Sequence, residues 1–376
     1  MIKSISISNF KSLKNCNLDF SDLNIISGIN GSGKSSLAQA VFLIKSIQNY
    51  SDFSTISLNN EYQNLGDNND VLYESAEKEE INININFESF NFESKLVIED
   101  PNLDYSKFYS NINKDFEKFK NNLSKLRILK ADRSGPVLVQ EKNDFYVKRG
   151  RNIGLKGEYL YSFLEEYGGH KVENVDNRIH LNAKSDNLIE LANCWLSEIS
   201  PDIMIETQAL DGTDFVSLRY GFKHKFGRSN LYRSTNVGFG ISYVLPVIIL
   251  LLVSQPGDVI FLDTPEAHLH PKGQVKLGEL LAKTAADGVQ LIVETHSDHI
   301  INGIRKSVVL NYIEPKNIKF YYFSVSQDRS DLVYSTLIEE PKIDKEGKFD
   351  KWPDGFFDEW GKTLDHLLLH RTKDGL

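Results

Sequence analysis

The sequence is poor in sulfur: 376 residues contain two cysteines and two methionines. Cys16 and Cys194 lie far apart, in no C-x-x-C or metal-like spacing, which argues against a disulfide framework or a zinc site. A reducing, cytoplasmic setting is expected. Long apolar runs are also missing. The longest, residues 244–253, contains Pro246 and is too short to span a bilayer. Residues 1–7 alternate apolar and polar instead of forming the apolar region of a signal peptide, so no membrane association is expected. Nor is there an excess of positive charge, because 43 Lys and Arg stand against 52 Asp and Glu, a formal net charge of −9. A surface that is basic all over is excluded, and any nucleic-acid contact must use a local patch. What remains, at 40% hydrophobic and 25% charged residues, is the composition of an ordinary globular protein of about two to three domain-lengths.

Alternation at Ile5 and Ile7, then at Cys16, Leu18 and Phe20, predicts two strands ahead of a buried strand at Ile25-Ile26. It returns at Ile81, Ile83, Ile85 and Phe87 and at Phe92, Leu96 and Ile98, turning near Glu88-Ser89, with a polar loop over residues 57–72 in between. Phe108, Ile112, Phe116, Phe119, Leu123 and Leu126 recur at three-and-four spacing and predict one long amphipathic helix. Leu188, Leu191, Ala192, Trp195 and Leu196 predict another, capped by Ser185 or Asp186. The last organised block reads helix 241–253, strand 258–262, helix 274–286 and strand 289–294, an α/β pattern with parallel central strands. Residues 348–370 read as a turn and a terminal helix. No internal repeat is present.

The segment "GINGSGKSS", residues 28–36, follows the apolar run at Leu23 and precedes another starting at Leu37. Gly28, Gly33, Lys34 and Ser35 fit G-x-x-x-x-G-K-[ST] in the strand-before, helix-after context that the motif needs. Backbone N–H groups must turn inward around phosphates, which favours Gly31 and Gly33. Lys34 then offers a charge to the β and γ phosphates, and Ser35 a hydroxyl to Mg²⁺.

"DVIFLDTPEAHLHP", residues 258–271, is an apolar strand ending in Asp263, placed to meet a Mg²⁺-bound phosphate as a Walker B acid. Glu266 is the nearest downstream carboxylate for activating water, with capping of the next helix as the alternative. "LIVETHSDHI", residues 291–300, ends a second strand with Glu294, Thr295, His296 and Ser297, and His296 can contact the γ-phosphate or the water. Gly238 and Gly240 precede an apolar helix and offer a second anion site, able to serve another subunit's nucleotide.

The order of these motifs, "ISNFKSLKN" and the P-loop, a long interruption, then "VGFGISYVLP", "FLDTPEAHLHP" and "ETHSDHIINGIR", resembles the ABC-type ATPase heads of the SMC, RecF and OLD (overcoming lysogenization defect) class. It is most similar to the OLD-like AAA-family proteins of bacteria, many of which serve in antiphage defence. The fold implied is α/β, an ABC-type P-loop ATPase head with a β-rich N-terminal lobe carrying the Walker A motif (residues 1–100) and a helical/β insertion (101–233). The C-terminal lobe (234–330) carries the signature, Walker B and switch histidine, and a tail (331–376) packs on the head.

By that resemblance Asn30, Gly31, Ser32, Gly33, Lys34, Ser35 and Ser36 hold ATP, with Ser35, Asp263 and Gln63 at the Mg²⁺. Lys11 approaches the phosphates. His296 is the switch histidine, paired in catalysis with Glu266 on the position of that acid unless the base is weak, and Gly238, Gly240 and Ser242 close on ATP in the opposite protomer. Thr264 stands where the family has a glutamate directly after the Walker B acid, and the signature lacks its Ser-Gly-Gly run. Slow hydrolysis coupled to ATP-gated dimerisation, or to a higher even oligomer, is the expectation. The OLD nucleases carry a Toprim domain with clustered acids, for which no equivalent set is found here, so a separate effector such as a nuclease is implied as partner. DNA is a further candidate partner through two basic clusters, Lys148, Arg149, Arg151, Lys156 and Lys223, Lys225, Arg228, Arg233. Solvated loop charge is the plain alternative for each. An ATP-locked scaffold, or a DNA-maintenance ATPase with little turnover, is the alternative to a defence ATPase.

Overall fold

A computed structural model describes residues 1–50, 52–112, 115–326, 334–357 and 363–368. The chain opens with strands β1 (Ile2–Phe10), β2 (Leu13–Asp19) and β3 (Leu23–Gly28), helix α1 (Lys34–Ser46) and the short strand β4 (Thr55–Ser57). Strands β5 (Glu80–Phe87), β6 (Ser94–Val97) and β7 (Tyr105–Ser110) follow, then α2 (Phe116–Ser124), β8 (Leu126–Leu129) and β9 (Val139–Glu141). Helices α3 (Leu160–Tyr167) and α4 (Leu188–Ile199) lead into β10 (Ile203–Ala209), β11 (Phe215–His224), β12 (Gly227–Arg228) and β13 (Tyr232–Arg233). The last part runs α5 (Phe239–Val253), β14 (Val259–Asp263), α6 (Pro271–Ala286), β15 (Gln290–Glu294), α7 (Asp298–Val309), β16 (Ile318–Val325) and β17 (Thr336–Glu339).

The central sheet has the order β8-β14-β15-β3-β16-β17, parallel throughout except for β17. Its inner strands are almost wholly apolar because both faces are covered. Leu23, Ile25, Leu262 and Val293 face a core shared with α4 to α7, whereas Ile26, Phe261 and Ile292 face a core shared with α1 and the first sheet. That first sheet is antiparallel, in the order β2-β1-β5-β6-β7-β4. A third sheet is built on β11, flanked by β9 and β10, with β12 and β13 pairing its far end.

The long helix expected from Phe108 to Leu126 is instead a strand, a helix and a strand. In β7, Ser106 and Phe108 are buried while Tyr105, Lys107 and Tyr109 are exposed, a period of two. The helical stripe is confined to Phe119 and Leu123 of α2, and Leu126 already belongs to β8. Residues 101–233, read above as one insertion, thus feed the first, the central and the third sheet. The cap of α4 is Asn187, not Ser185 or Asp186, and it makes no side-chain bond. The Asp186 carboxylate is engaged 2.7 Å from Lys171 Nζ. Residues 57–72 are less loop-like than expected, since Asn59–Asn60 pairs with Gln63–Asn64 and Asn68–Val71 forms one helical turn. Residues 363–368 are helical, whereas 358–362 and 369–370 of the expected terminal segment lie outside the described residues. Cys16 and Cys194 are free and buried. Among the described residues no helix is long and apolar enough to cross a membrane.

Candidate functional site

The loop between β3 and α1 takes a course open only to glycine at two points. Gly28 has φ 145°, and a Cβ there would lie 2.0 Å from the Phe323 carbonyl oxygen. Gly33, at φ 96°, is the N-cap of α1, where a Cβ would fall 2.5 Å from Thr336 Oγ1 and 2.6 Å from Ser12 Oγ. No side chain caps α1. Its first amides are left for an outside acceptor at the positive end of the helix dipole. Lys34 Nζ lies on the loop itself, donating to the carbonyls of Gly28 at 2.8 Å and Ile29 at 2.7 Å. Ser32 is turned inward, its hydroxyl donating to Ile29 O at 2.8 Å, while Asn30, Gly31 and Ser35 are exposed and Ser36 is half-buried in the first turn. A cavity of about 450 Å³ beside the loop is lined by Gly28, Ile29, Asn30, His296, Asp298 and Tyr322, among others.

Three neighbouring strands end against this loop. In β14 and β15, Asp263 is in register with Glu294, and Glu294 with Ile26 of β3. Ser35 Oγ donates to Glu294 Oε1 at 3.2 Å. Burial first, and the neighbouring Asp263 second, push the Glu294 carboxyl up to about 7 against the opposing charge of Lys34. Burial lowers the Lys34 ammonium, which Glu294 and Asp263 partly offset. Two acids and a hydroxyl beside an uncapped helix start fit Mg²⁺, which takes one or two carboxylates and completes its shell with phosphate oxygens and water. Among the described residues no group of three or more His, Cys, Asp or Glu is arranged as a metal cage.

Glu266 does not cap α6. That role belongs to His270, whose side chain accepts from Lys272 N. Glu266 is buried, and its Oε1 accepts from Thr295 Oγ1 at 2.6 Å and from His296 N at 2.9 Å, across the end of β15. Among the described residues its Oε2 is buried with no partner. Burial pushes this carboxyl up, opposed by the bonds from Thr295 and His296 and by the charge of Arg133. His296 is exposed at the mouth of the site, and partial desolvation, then Lys34, hold its imidazole below its ordinary value.

Arg133 was not foreseen from sequence. It is buried, and its two terminal nitrogens donate to Asp263 O at 2.9 Å and Thr264 O at 2.8 Å. Thr264 has φ 42°, an unusual backbone for a β-branched residue, and Arg133 grips the carbonyls on either side of its N–Cα–C unit. Glu294 was quoted but given no role. The available signal was its place at a strand end beside the Asp263 strand.

Other expected residues stand apart. Gln63 Nε2 donates to Gln39 O at 2.9 Å, beyond the first turn of α1, and its Oε1 is buried without a partner among the described residues. Lys11 reaches the Gln39 side chain at 2.9 Å. Gly238 is the exposed N-cap of α5. Gly240 packs within its own protomer, where a Cβ would lie 2.3 Å from His268 O, and Ser242 is buried. Phe239 and Tyr243 sandwich this segment against His268, with ring centroids 5.0 and 4.8 Å away.

A family model described as "AAA domain, putative AbiEii toxin, Type IV TA system" (AAA_21) matches residues 23–302. The chain belongs to the AAA_21 family. A second model, a protein family of unknown function (DUF3696), matches residues 313–367. In structure this AAA_21 chain is similar to an SMC head bound to the C-terminal winged-helix domain of ScpA, at TM-score 0.53 and 14% identity over 90% of this chain and 97% of that one. It also matches the Pyrococcus furiosus SMC head domain bound to the C-terminal domain of ScpA (TM-score 0.49, 14% identity, 97% and 99% covered) and the Thermotoga maritima SMC head (0.44, 14%, 89% and 98%). No curated protein matches significantly. Family and fold together make it an AAA domain with the fold of an SMC ATPase head.

Proposed function

We propose that this AAA_21 chain is an ATP-binding and ATP-hydrolysing switch that dimerises head to head around ATP and Mg²⁺. The observation that carries the reading is the meeting of Lys34, Ser35, Asp263, Glu294 and Glu266 at the carboxyl ends of three adjacent parallel strands, where open α/β sheets bind ligands. In this reading the α1 amides and Lys34 bind the phosphates, while Ser35 and Asp263 hold Mg²⁺. When bound, the ion neutralises charge on the β and γ phosphates.

Water attacks the γ phosphorus, forming one P–O bond while the bond to the bridging oxygen breaks and ADP leaves with that electron pair. The water proton passes to Glu266. Oε1 of that residue is already engaged by Thr295 and His296, which leaves Oε2 to take the proton. A buried acid whose pKa is raised takes up a proton more readily than a free carboxylate. Thr264 after Asp263 supports slow turnover. Gly238, the exposed start of α5, is the signature residue best placed to meet a partner's ATP.

The setting we propose is a cytoplasmic, antiviral (antiphage) defence complex, with a separate effector such as a nuclease and with DNA as a further contact; the toxin–antitoxin wording of the family description supports this reading. The chain by itself is not a nuclease in this reading. The test is phosphate release and nucleotide affinity of the parent, Lys34→Ala and Glu266→Gln proteins. Loss of binding in the first and loss of turnover with retained binding in the second is the predicted pattern. Turnover unchanged in Glu266→Gln would remove it as the base.

A further inference from the structure

The third sheet ends in a hairpin whose charge arrangement makes no sense for a free surface. Lys223 lies directly opposite Arg228, and Arg219 directly opposite Arg233. Partners in antiparallel register share a face, as do residues four apart on one strand, so all four cations lie on the same side of the sheet. It is the outer side: Val216, Leu218 and Tyr220 of β11 are buried, whereas Lys223, Arg228 and Arg233 are exposed. Like charges placed opposite each other across strands destabilise a sheet. Among the described residues two acids share the face: Glu206, in register with Arg219 and paired to Arg228, and Glu141, opposite Phe215 at the other end of β11. Among the described residues Arg219, Lys223 and Arg233 make no ion pair. This concentration occurs in a chain of net charge −9, so it is not the local sample of a generally basic surface.

The tip of the same hairpin carries an aromatic ring with nothing to pack on. Phe226 is 94% exposed, and Lys225 Nζ stands 5.6 Å from its ring centroid. His224 and Lys225 on the same turn are also exposed. A row of cations, three of the four without an acid partner among the described residues, that ends in an exposed ring is the pairing single strands require, with phosphates on the charges and a base on the ring. An acidic protein would satisfy the cations and leave Phe226 unused. The run from Arg219 to Lys223 spans about 14 Å at the usual rise per residue, enough for a few nucleotides. From Arg233 the chain passes through the single turn Ser234–Asn236 to Gly238, the N-cap of α5.

We propose that the outer face of β11, β12 and β13, with Phe226 at its tip, binds single-stranded nucleic acid and lies one turn from the signature segment. This gives the nucleic-acid arm of the proposed function its surface, and it rests on that arm alone.

The test is fluorescence anisotropy of the full chain with a labelled single-stranded DNA, the matching RNA and a duplex, without nucleotide or Mg²⁺, over a range of salt. Binding of either single strand more tightly than duplex is expected, and the better strand identifies the source. Phe226→Ala should weaken it roughly 5- to 100-fold at unchanged salt slope. Lys223→Gln with Arg233→Gln should flatten the slope of log K against log salt by about 1.4, two phosphate contacts' worth. Both variants should melt at or above the parent temperature, since the ring is unpacked and the paired like charges are relieved. No binding, tightest binding to duplex, indifference to Phe226→Ala, or equal displacement by polyglutamate would overturn the proposal. ATP turnover of the same variants without oligonucleotide separates failure of this surface from failure of the ATP site.

Discussion

Asp263 and Glu294 stand side by side at the ends of two parallel strands, with the Ser35 hydroxyl on Glu294 at 3.2 Å. Neighbouring acids at that point repel each other unless a cation lies between or beside them. We therefore predict that Glu294→Gln weakens the binding of Mn²⁺, standing in for Mg²⁺, to the ATP complex by about 10- to 100-fold. Asp263→Asn should cost at least as much. Titration of Mn²⁺ followed by its magnetic resonance signal reads this directly, and Mn²⁺ affinity untouched by Glu294→Gln would leave Asp263 as the lone acid.

Lys34 Nζ rests on Gly28 O and Ile29 O, two carbonyls of its own loop. Lys34→Ala removes a charge that a triphosphate would draw off those carbonyls, and ATP affinity should fall by roughly 10- to 100-fold, the worth of a charged hydrogen bond. Helix content and melting temperature should change little. A fluorescent ATP analogue measures the first and circular dichroism the second.

How far the sequence could take these arguments differs from residue to residue. The glycine-rich loop before α1 was legible because its geometry is local, set by Gly28, Gly33 and Lys34 within one short stretch of chain. The strands at Val259–Asp263 and Gln290–Glu294 were legible because burial on both faces writes an unbroken apolar run. Arg133 was not, since its partners Asp263 and Thr264 lie 130 and 131 residues away. Glu294 was opaque for a related reason, as its role depends on the register with Asp263, which tertiary pairing sets. The segment around Phe108 misled because β7 and α2 happen to place aromatics at helical intervals across their junction. The depth of Ser242 was likewise invisible, because α5 is apolar all round and gives no sign of which face is covered.

Arg133 ties the turn after β14 to the chain before the third sheet, and Tyr243 of α5 lies 5.5 Å from its guanidinium. Arg133→Lys cannot hold both carbonyls in the same plane. We predict that it lowers turnover about tenfold or more while ATP affinity stays within about threefold, since the turn orients Asp263 and Glu266 without touching the phosphate loop. A melting temperature close to the parent would mark positioning, and an equal loss of binding and turnover would mark general damage.

Lys45 is a buried ammonium, donating to Leu123 O at 2.7 Å, and burial lowers its pKa to about 8, with Glu61 opposing. The folded value lies below the unfolded one, so folding bears the full penalty of the charge below pH 8. Stability then rises with pH between about 8 and 10.5, where the unfolded chain alone keeps the proton. Lys45→Met lacks this term. Urea unfolding of both proteins at about pH 7 and about pH 10 should show the variant's advantage shrinking by about 2 kcal/mol. A constant difference would refute the assignment.

The account centres on a switch closed by ATP between two copies and opened by hydrolysis through Glu266. The direct measurement is the solution mass of the Glu266→Gln protein with and without ATP and Mg²⁺, alongside its phosphate release. The account predicts a nucleotide-dependent doubling of mass with turnover reduced about 10²-fold or more. A mass indifferent to ATP, with turnover intact, would contradict it.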